Sequence, residues 1–139
     1  MLPSENTLFK AASIGFGLIC GIAIIALMNQ LNLALQPTPD LSEWGDNIQD
    51  YYHSDNIYLL GALISHGTGS FFAGAIPVFF KTYIQPINTL FTGIILTVLA
   101  IINAAYAGFP SWYIIANILL YIPLVWLGTS LSLKYNLNI

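Results

Sequence analysis

Charge is missing from most of this chain: no Asp, Glu, Lys or Arg stands anywhere in 11–39, 56–80 or 82–133. Apolar residues fill those intervals in runs wide enough to cross the ~30 Å hydrocarbon core of a bilayer. Only 6% of the 139 residues are charged, against about 25% in an ordinary soluble domain. A water-soluble fold of this size could not cover its surface with so few. The chain therefore reads as an all-α membrane protein of one domain, 1–139, since a helix satisfies its backbone hydrogen bonds within its own segment and needs no water to do so.

The runs predict a four-transmembrane-helix bundle, with spans at 9–35, 57–80, 87–107 and 112–133. The first run is far longer than the ~7–15 residue apolar region of a secretory signal. It also has no A-x-A-like cleavage site before Pro37, so it is expected to be retained as a span. Between the second and third spans lies a tight turn, Lys81 to Pro86. Gly108-Phe109-Pro110-Ser111 joins the third to the fourth, which must then be antiparallel neighbours. Pro123 removes the backbone partner of the Leu119 carbonyl and is expected to kink the fourth span. Pro77, near the end of the second, should matter less.

Orientation follows from the lysines. There are three basic residues in all, Lys10, Lys81 and Lys134, and four spans put all of them on one side. The positive-inside rule makes that side cytoplasmic, so both termini are expected there. Asp40, Glu43, Asp46, Asp50 and Asp55 all fall in the opposite loop, 36–56. Trp44, Tyr51, Tyr52, Tyr58, Tyr106, Trp112 and Tyr113 are expected to mark the outer interface, with Tyr83 and Tyr135 at the inner one.

The outer loop carries the pattern of a short amphipathic surface helix. Asp40 and Glu43 form a capping-box pair after Pro39. From there Leu41, Trp44, Ile48, Tyr51 and Tyr52 share an arc of about 100°, with Glu43, Asp46, Asp50 and His53 pointing away. Asp46, Asp50 and His53 have metal-ligand spacing, but a solvated acidic face explains them with fewer demands, and no metal site is assigned. No cofactor is expected. The absence of any basic patch argues against nucleic acid as a partner. A lone Cys20 excludes an internal disulfide.

Small residues recur at helix-face spacing in two spans. Ser13, Gly17 and Gly21 form one ridge; Gly61, Ser65, Gly69 and Ala73 form another. Lipid tails give no hydrophobic drive for helix association, so close backbone approach along such ridges supplies the contact energy. The two ridges could satisfy each other.

His66 is the ionisable residue deep in a span, about 14 Å below its outer edge at 1.5 Å per residue. Thr97 sits at a similar depth, with Asn29, Asn103 and Asn117 nearer the outer surface. Together they form a candidate intramembrane polar cluster, with Thr97 and Asn103 the expected partners of the imidazole. The plainer account of all five is hydrogen bonding between helices. Ser70, at i+4 from His66, allows a Ser–His contact, yet no orienting third group or oxyanion donor accompanies it. A serine there more often bonds its own i−4 carbonyl, and an enzyme is the weakest reading.

The stretch GALISHGTGSFFAGA over 61–75 is similar to the second span of a family of small four-helix bacterial integral membrane proteins. The similarity extends to the proline-led acidic loop, to Asn103 followed by Phe109-Pro110-Ser111-Trp112, and to Pro123 with Gly128. The resemblance implies a fold and a cell-membrane location, and brings no activity with it. Beside the lipid bilayer itself, the expected partner is another copy of the chain or another membrane subunit. The function expected from the ridges and uncharged spans is that of a non-enzymatic accessory or self-associating helical subunit. The alternative is a facilitator of small neutral solute or lipid movement, using a polar cleft around His66.

Overall fold

The computed structural model describes residues 3–37, 55–80 and 85–136. The surface helix expected over 41–52, with Asp46, Asp50 and His53, lies outside the described residues, as do Lys81 and Tyr83. Four helices long and apolar enough to cross a membrane make up the described chain. They are α1 (Pro3–Leu35), α2 (Asn56–Ala75), α3 (Pro86–Ala107) and α4 (Ser111–Asn136).

Local chemistry sets the ends of each. The Asp55 carboxylate accepts the Ile57 amide at 2.8 Å and so caps α2, satisfying one of the orphan donors of its first turn. Pro86 begins α3 in the position where a missing N–H costs nothing. Gly108 ends the same helix with φ of 66°, a left-handed conformation that a residue with a Cβ adopts only under strain. The Pro110 carbonyl then accepts from Tyr113 and Ile114 at 3.0 and 3.2 Å to start α4. That helix runs unbroken through Pro123. Pro77 matters more than its position near the span's end suggested. It offers no N–H to the ladder, and the α-helix gives way there to a 3-10 stretch over Ile76–Phe80.

Neighbouring side chains fix how the helices run. Along α1 and α2 the pairs are Gly17 with Pro77, Gly21 with Ala73, Ile25 with Gly69 and Asn32 with Gly61, which is an antiparallel crossing. Gly67 meets Leu120 and Leu124, and Gly74 meets Val125 and Thr129, so α2 and α4 run parallel. Gly93 meets Ile122 and Thr89 meets Thr129, making α3 and α4 antiparallel. Around the bundle the order is α1, α2, α4, α3, and α3 scarcely touches α1 or α2. Lys10 and Lys134 stand at one end, the lysine end; α1 finishes and α2 begins at the other, the loop end.

The small-residue ridges of α1 and α2 face each other. A Cβ built on Gly21 would lie 2.5 Å from the Ala73 Cβ and 2.8 Å from the Gly69 carbonyl oxygen. A second row on α2 does the same toward α4, where a Cβ on Gly74 would come within 2.0 Å of the Val125 carbonyl oxygen. From the other side, one on Gly128 would meet the Phe71 carbonyl oxygen at 2.0 Å. Thus α2 is clasped on two faces by backbone.

The core has two parts. Ala73, Leu96, Ala100, Tyr121 and Val125, with Leu18 and Ile25 against them, draw on all four helices. Nearer the loop end, Leu59, Ala62 and Tyr113 draw on α2 and α4 alone. Tyr113, expected as an interfacial anchor, is turned inward instead and is 2% exposed. Its ring lies 4.8 Å from that of Phe109. Tyr106, Trp112 and Tyr135 remain exposed.

Candidate functional site

His66 lies on the row of α2 that includes Leu59, Ala62, Ser70 and Ala73, all buried. Helical geometry therefore turns its ring toward the bundle interior. There Nδ1 is hydrogen-bonded to the Tyr121 hydroxyl of α4, the two rings being tilted at 52°. Nε2 lies 3.4 Å from the Asn29 amide nitrogen of α1. Asn117, one turn before Tyr121 on α4, is 4% exposed and lies alongside both His66 and Tyr121. Three helices thus converge on one imidazole. One turn nearer the loop end, the Asn32 amide donates to the Tyr58 carbonyl at 2.9 Å, adding a second polar rung between α1 and α2.

Of the five residues expected to cluster, Asn29, His66 and Asn117 come together; Thr97 and Asn103 do not. Thr97 donates to the Gly93 carbonyl of its own helix at 2.8 Å, and Asn103 is exposed. The reason is the order of helices: α3 packs on α4, so its residues do not reach α2 at this level. The Ser70 hydroxyl likewise donates to its own helix, to the His66 carbonyl at 2.6 Å, and both ring nitrogens of His66 are engaged elsewhere. That leaves no nucleophile–base contact between them.

Tyr121 is the residue that reading the sequence misses. It stands in an apolar run and counts there as one more aromatic. The signal that finds it is spacing: Tyr113, Asn117 and Tyr121 recur at i+4 and so share one face of α4.

A neutral imidazole carries one N–H and one lone pair, which permits two wirings here. In the first, the Asn29 amide donates to Nε2, and Nδ1–H donates to the Tyr121 oxygen. In the second, the Asn29 amide is turned over, its oxygen accepts from Nε2–H, and the Tyr121 hydroxyl donates to Nδ1. In the first wiring the side-chain oxygens of Asn29 and Asn117 are both buried without a hydrogen-bond partner; the second fills the Asn29 oxygen and leaves its amide N–H unpaired instead. Such a group costs several kcal/mol in an apolar medium.

Among the described residues there is no group of three or more His, Cys, Asp and Glu side chains that could hold a metal ion. The chemistry that His66, Tyr121, Asn29 and Asn117 offer is hydrogen bonding. The chain matches no family model, and no match to it is found among curated proteins or solved structures.

Proposed function

We propose that the chain is a multi-pass membrane protein that binds a small neutral solute within the bilayer and eases its passage, with His66, Tyr121, Asn29 and Asn117 as the binding station. One observation carries this reading: two buried amide oxygens flank a partly exposed imidazole at mid-span, and in the first wiring neither has a donor. A purely structural knot gains most when every polar group in it is paired. A solute bearing N–H or O–H groups would supply what is missing. The ridges that first suggested association with other proteins are occupied within the chain, which weakens that case.

The test is uptake of urea and glycerol into liposomes containing the purified protein, followed by light scattering. The expected outcome is permeability above that of empty liposomes, lost in His66→Leu. Equal permeability with and without protein, for both solutes, would sink the proposal.

A second reading has its own support. On the outward face of α1, Ala12, Ala23 and Ala26 are exposed, and nothing lies within 4 Å of a Cβ built on Gly15. Such a face suits close contact with a second membrane helix, from another copy or a foreign subunit. Native mass measurement from nanodiscs decides it, a monomer without partner counting against.

For either role we propose that both termini are cytoplasmic, on the strength of the lysines. The acidic loop, 36–56, is then outside. In a Cys20→Ser background, Ser111→Cys should react with an impermeant thiol reagent applied outside cells, and Tyr135→Cys should not. The reverse result would invert the orientation.

A further inference from the structure

The interior row of α4 continues past the site. Tyr113, Asn117, Tyr121, Val125 and Thr129 follow one another at i+4, and none is more than 4% exposed. All but Val125 can hydrogen-bond. Val125 is fully buried in an apolar layer with Ala73 of α2 and Leu96 of α3, against which Leu18 and Ile25 of α1 are packed.

Beyond that layer, toward the lysine end, the interior turns polar again. The Thr129 hydroxyl lies 2.9 Å from both the Gly74 carbonyl oxygen and the Thr89 hydroxyl and 3.0 Å from the Val125 carbonyl oxygen of its own helix, with one proton to donate among the three. Thr89 itself donates to the Pro86 carbonyl at 2.7 Å. Thr89, Thr92 and Thr129 are each 0% exposed.

Four buried side-chain polar atoms among the described residues lack a partner, and the apolar layer divides them evenly. Asn29 Oδ1 and Asn117 Oδ1 lie on the loop side; Thr92 Oγ1 and Ser130 Oγ belong to residues on the lysine side of Leu96 and Val125. Unmet polar groups in hydrocarbon are costly, and Thr92, 0% exposed, carries one on the lysine side of the apolar layer. Resting on the facilitator reading above, we infer that Thr89, Thr92, Thr129 and Ser130 form a second station for the same solute. Val125, with Ala73 and Leu96, is the barrier between the two.

The solute class follows from the lining. The loop side offers unpaired acceptors and the lysine side offers hydroxyls, which both donate and accept. No charged side chain among them compensates an ion. The solute is therefore small, uncharged and rich in N–H or O–H groups. From Tyr121 to Thr129 it travels about 12 Å along α4 at 1.5 Å per residue, with Val125 halfway.

The experiment uses the full chain in liposomes with urea as the probe. Val125→Ala should raise urea permeability several-fold over wild type, by removing methyl groups from the barrier. Val125→Thr, nearly isosteric, should raise it as well and serves if the alanine variant fails to fold. Thr129→Val should lower it several-fold at unchanged fold, while Val98→Ala, exposed on α3, should leave it unchanged. Urea flux that His66→Leu abolishes, but that the Val125 and Thr129 variants leave unaltered, overturns the second station and spares the first. No flux above empty liposomes from wild type overturns both.

Discussion

The first two helices make opposite use of the same solvent. α1 is the most apolar of the four spans, and 17% of its most apolar window is buried; α2 is the least apolar, and 50% of its window is buried. In water the ranking would be reversed, because burial there rewards apolar area. In a bilayer the lipid already offers an apolar surround, so Leu8, Ile19, Leu27 and Leu35 of α1 gain nothing by turning inward and remain exposed. What selects a helix for the centre is how closely its backbone can be approached. α2 has Gly61, Gly67, Gly69 and Gly74, with Ala73 and Ser65 between them. It is central because it is thin.

The sharpest way to break that comparison is to thicken each helix at one glycine. Gly74→Leu should be the most damaging substitution in the chain. Its Cβ alone would lie 2.0 Å from the Val125 carbonyl oxygen and 2.8 Å from the carbonyl carbon, which are backbone atoms and cannot rotate away. Overpacking a tight core costs about 1–3 kcal/mol, and the larger leucine belongs at or above the top of that range. Gly15→Leu on α1 meets open space and should stay within about 0.5 kcal/mol of wild type. Unfolding by dodecyl sulfate in mixed micelles measures both. Similar losses at the two positions would mean that α2 is not held by close backbone contact.

A middle-sized effect is expected where α2 meets its neighbours through side chains. His66→Leu removes the bonds to Tyr121 and Asn29 and leaves the phenol without its partner. Interhelical hydrogen bonds in membranes average about 0.6 kcal/mol, so the loss should be about 1–2 kcal/mol. His66→Gln retains a donor and an acceptor and should recover at least half of it. Glutamine as damaging as leucine would show that the site needs the ring itself.

The same comparison explains what could be read from the residues and what could not. Long uncharged runs name the spans because hydrocarbon tolerates little else. Small residues at i+4 announce a close approach, and Gly17, Gly21 and Gly69 make one; the letters do not say with which helix. Chain order does not say it either: α2 and α3 follow one another in sequence, yet α3 packs on α4. That gap is why Thr97 and Asn103 looked like partners for His66. Tyr121 was hidden for a different reason, since a tyrosine in a membrane span reads as apolar bulk or as an interfacial anchor. Tyr113 was misplaced in the same way, turning inward although its position along the chain suits the interface.

The smallest effect tests the order of helices directly, through one substitution made at two threonines. Thr97 and Thr129 are both β-branched, and valine replaces either with little change of shape, so that the loss reports the hydroxyl. Thr97 donates to Gly93 of its own helix, whose carbonyl already serves the helix ladder, so that bond adds little. Thr97→Val should therefore change stability by less than about 0.5 kcal/mol. Thr129 also lies 3.0 Å from the i−4 carbonyl of its own helix, but it reaches other helices as well, 2.9 Å from Gly74 on α2 and from Thr89 on α3. Its replacement should cost about 0.6–1.7 kcal/mol, from the average to the largest value measured for such bonds. Thr89 keeps its own donation to Pro86, which holds the loss to one interhelical contact. A cost at Thr97 equal to that at Thr129 would mean that the Thr97 hydroxyl reaches another helix. In that case α3 would have to stand closer to α2, and the arrangement with α4 between them would be wrong.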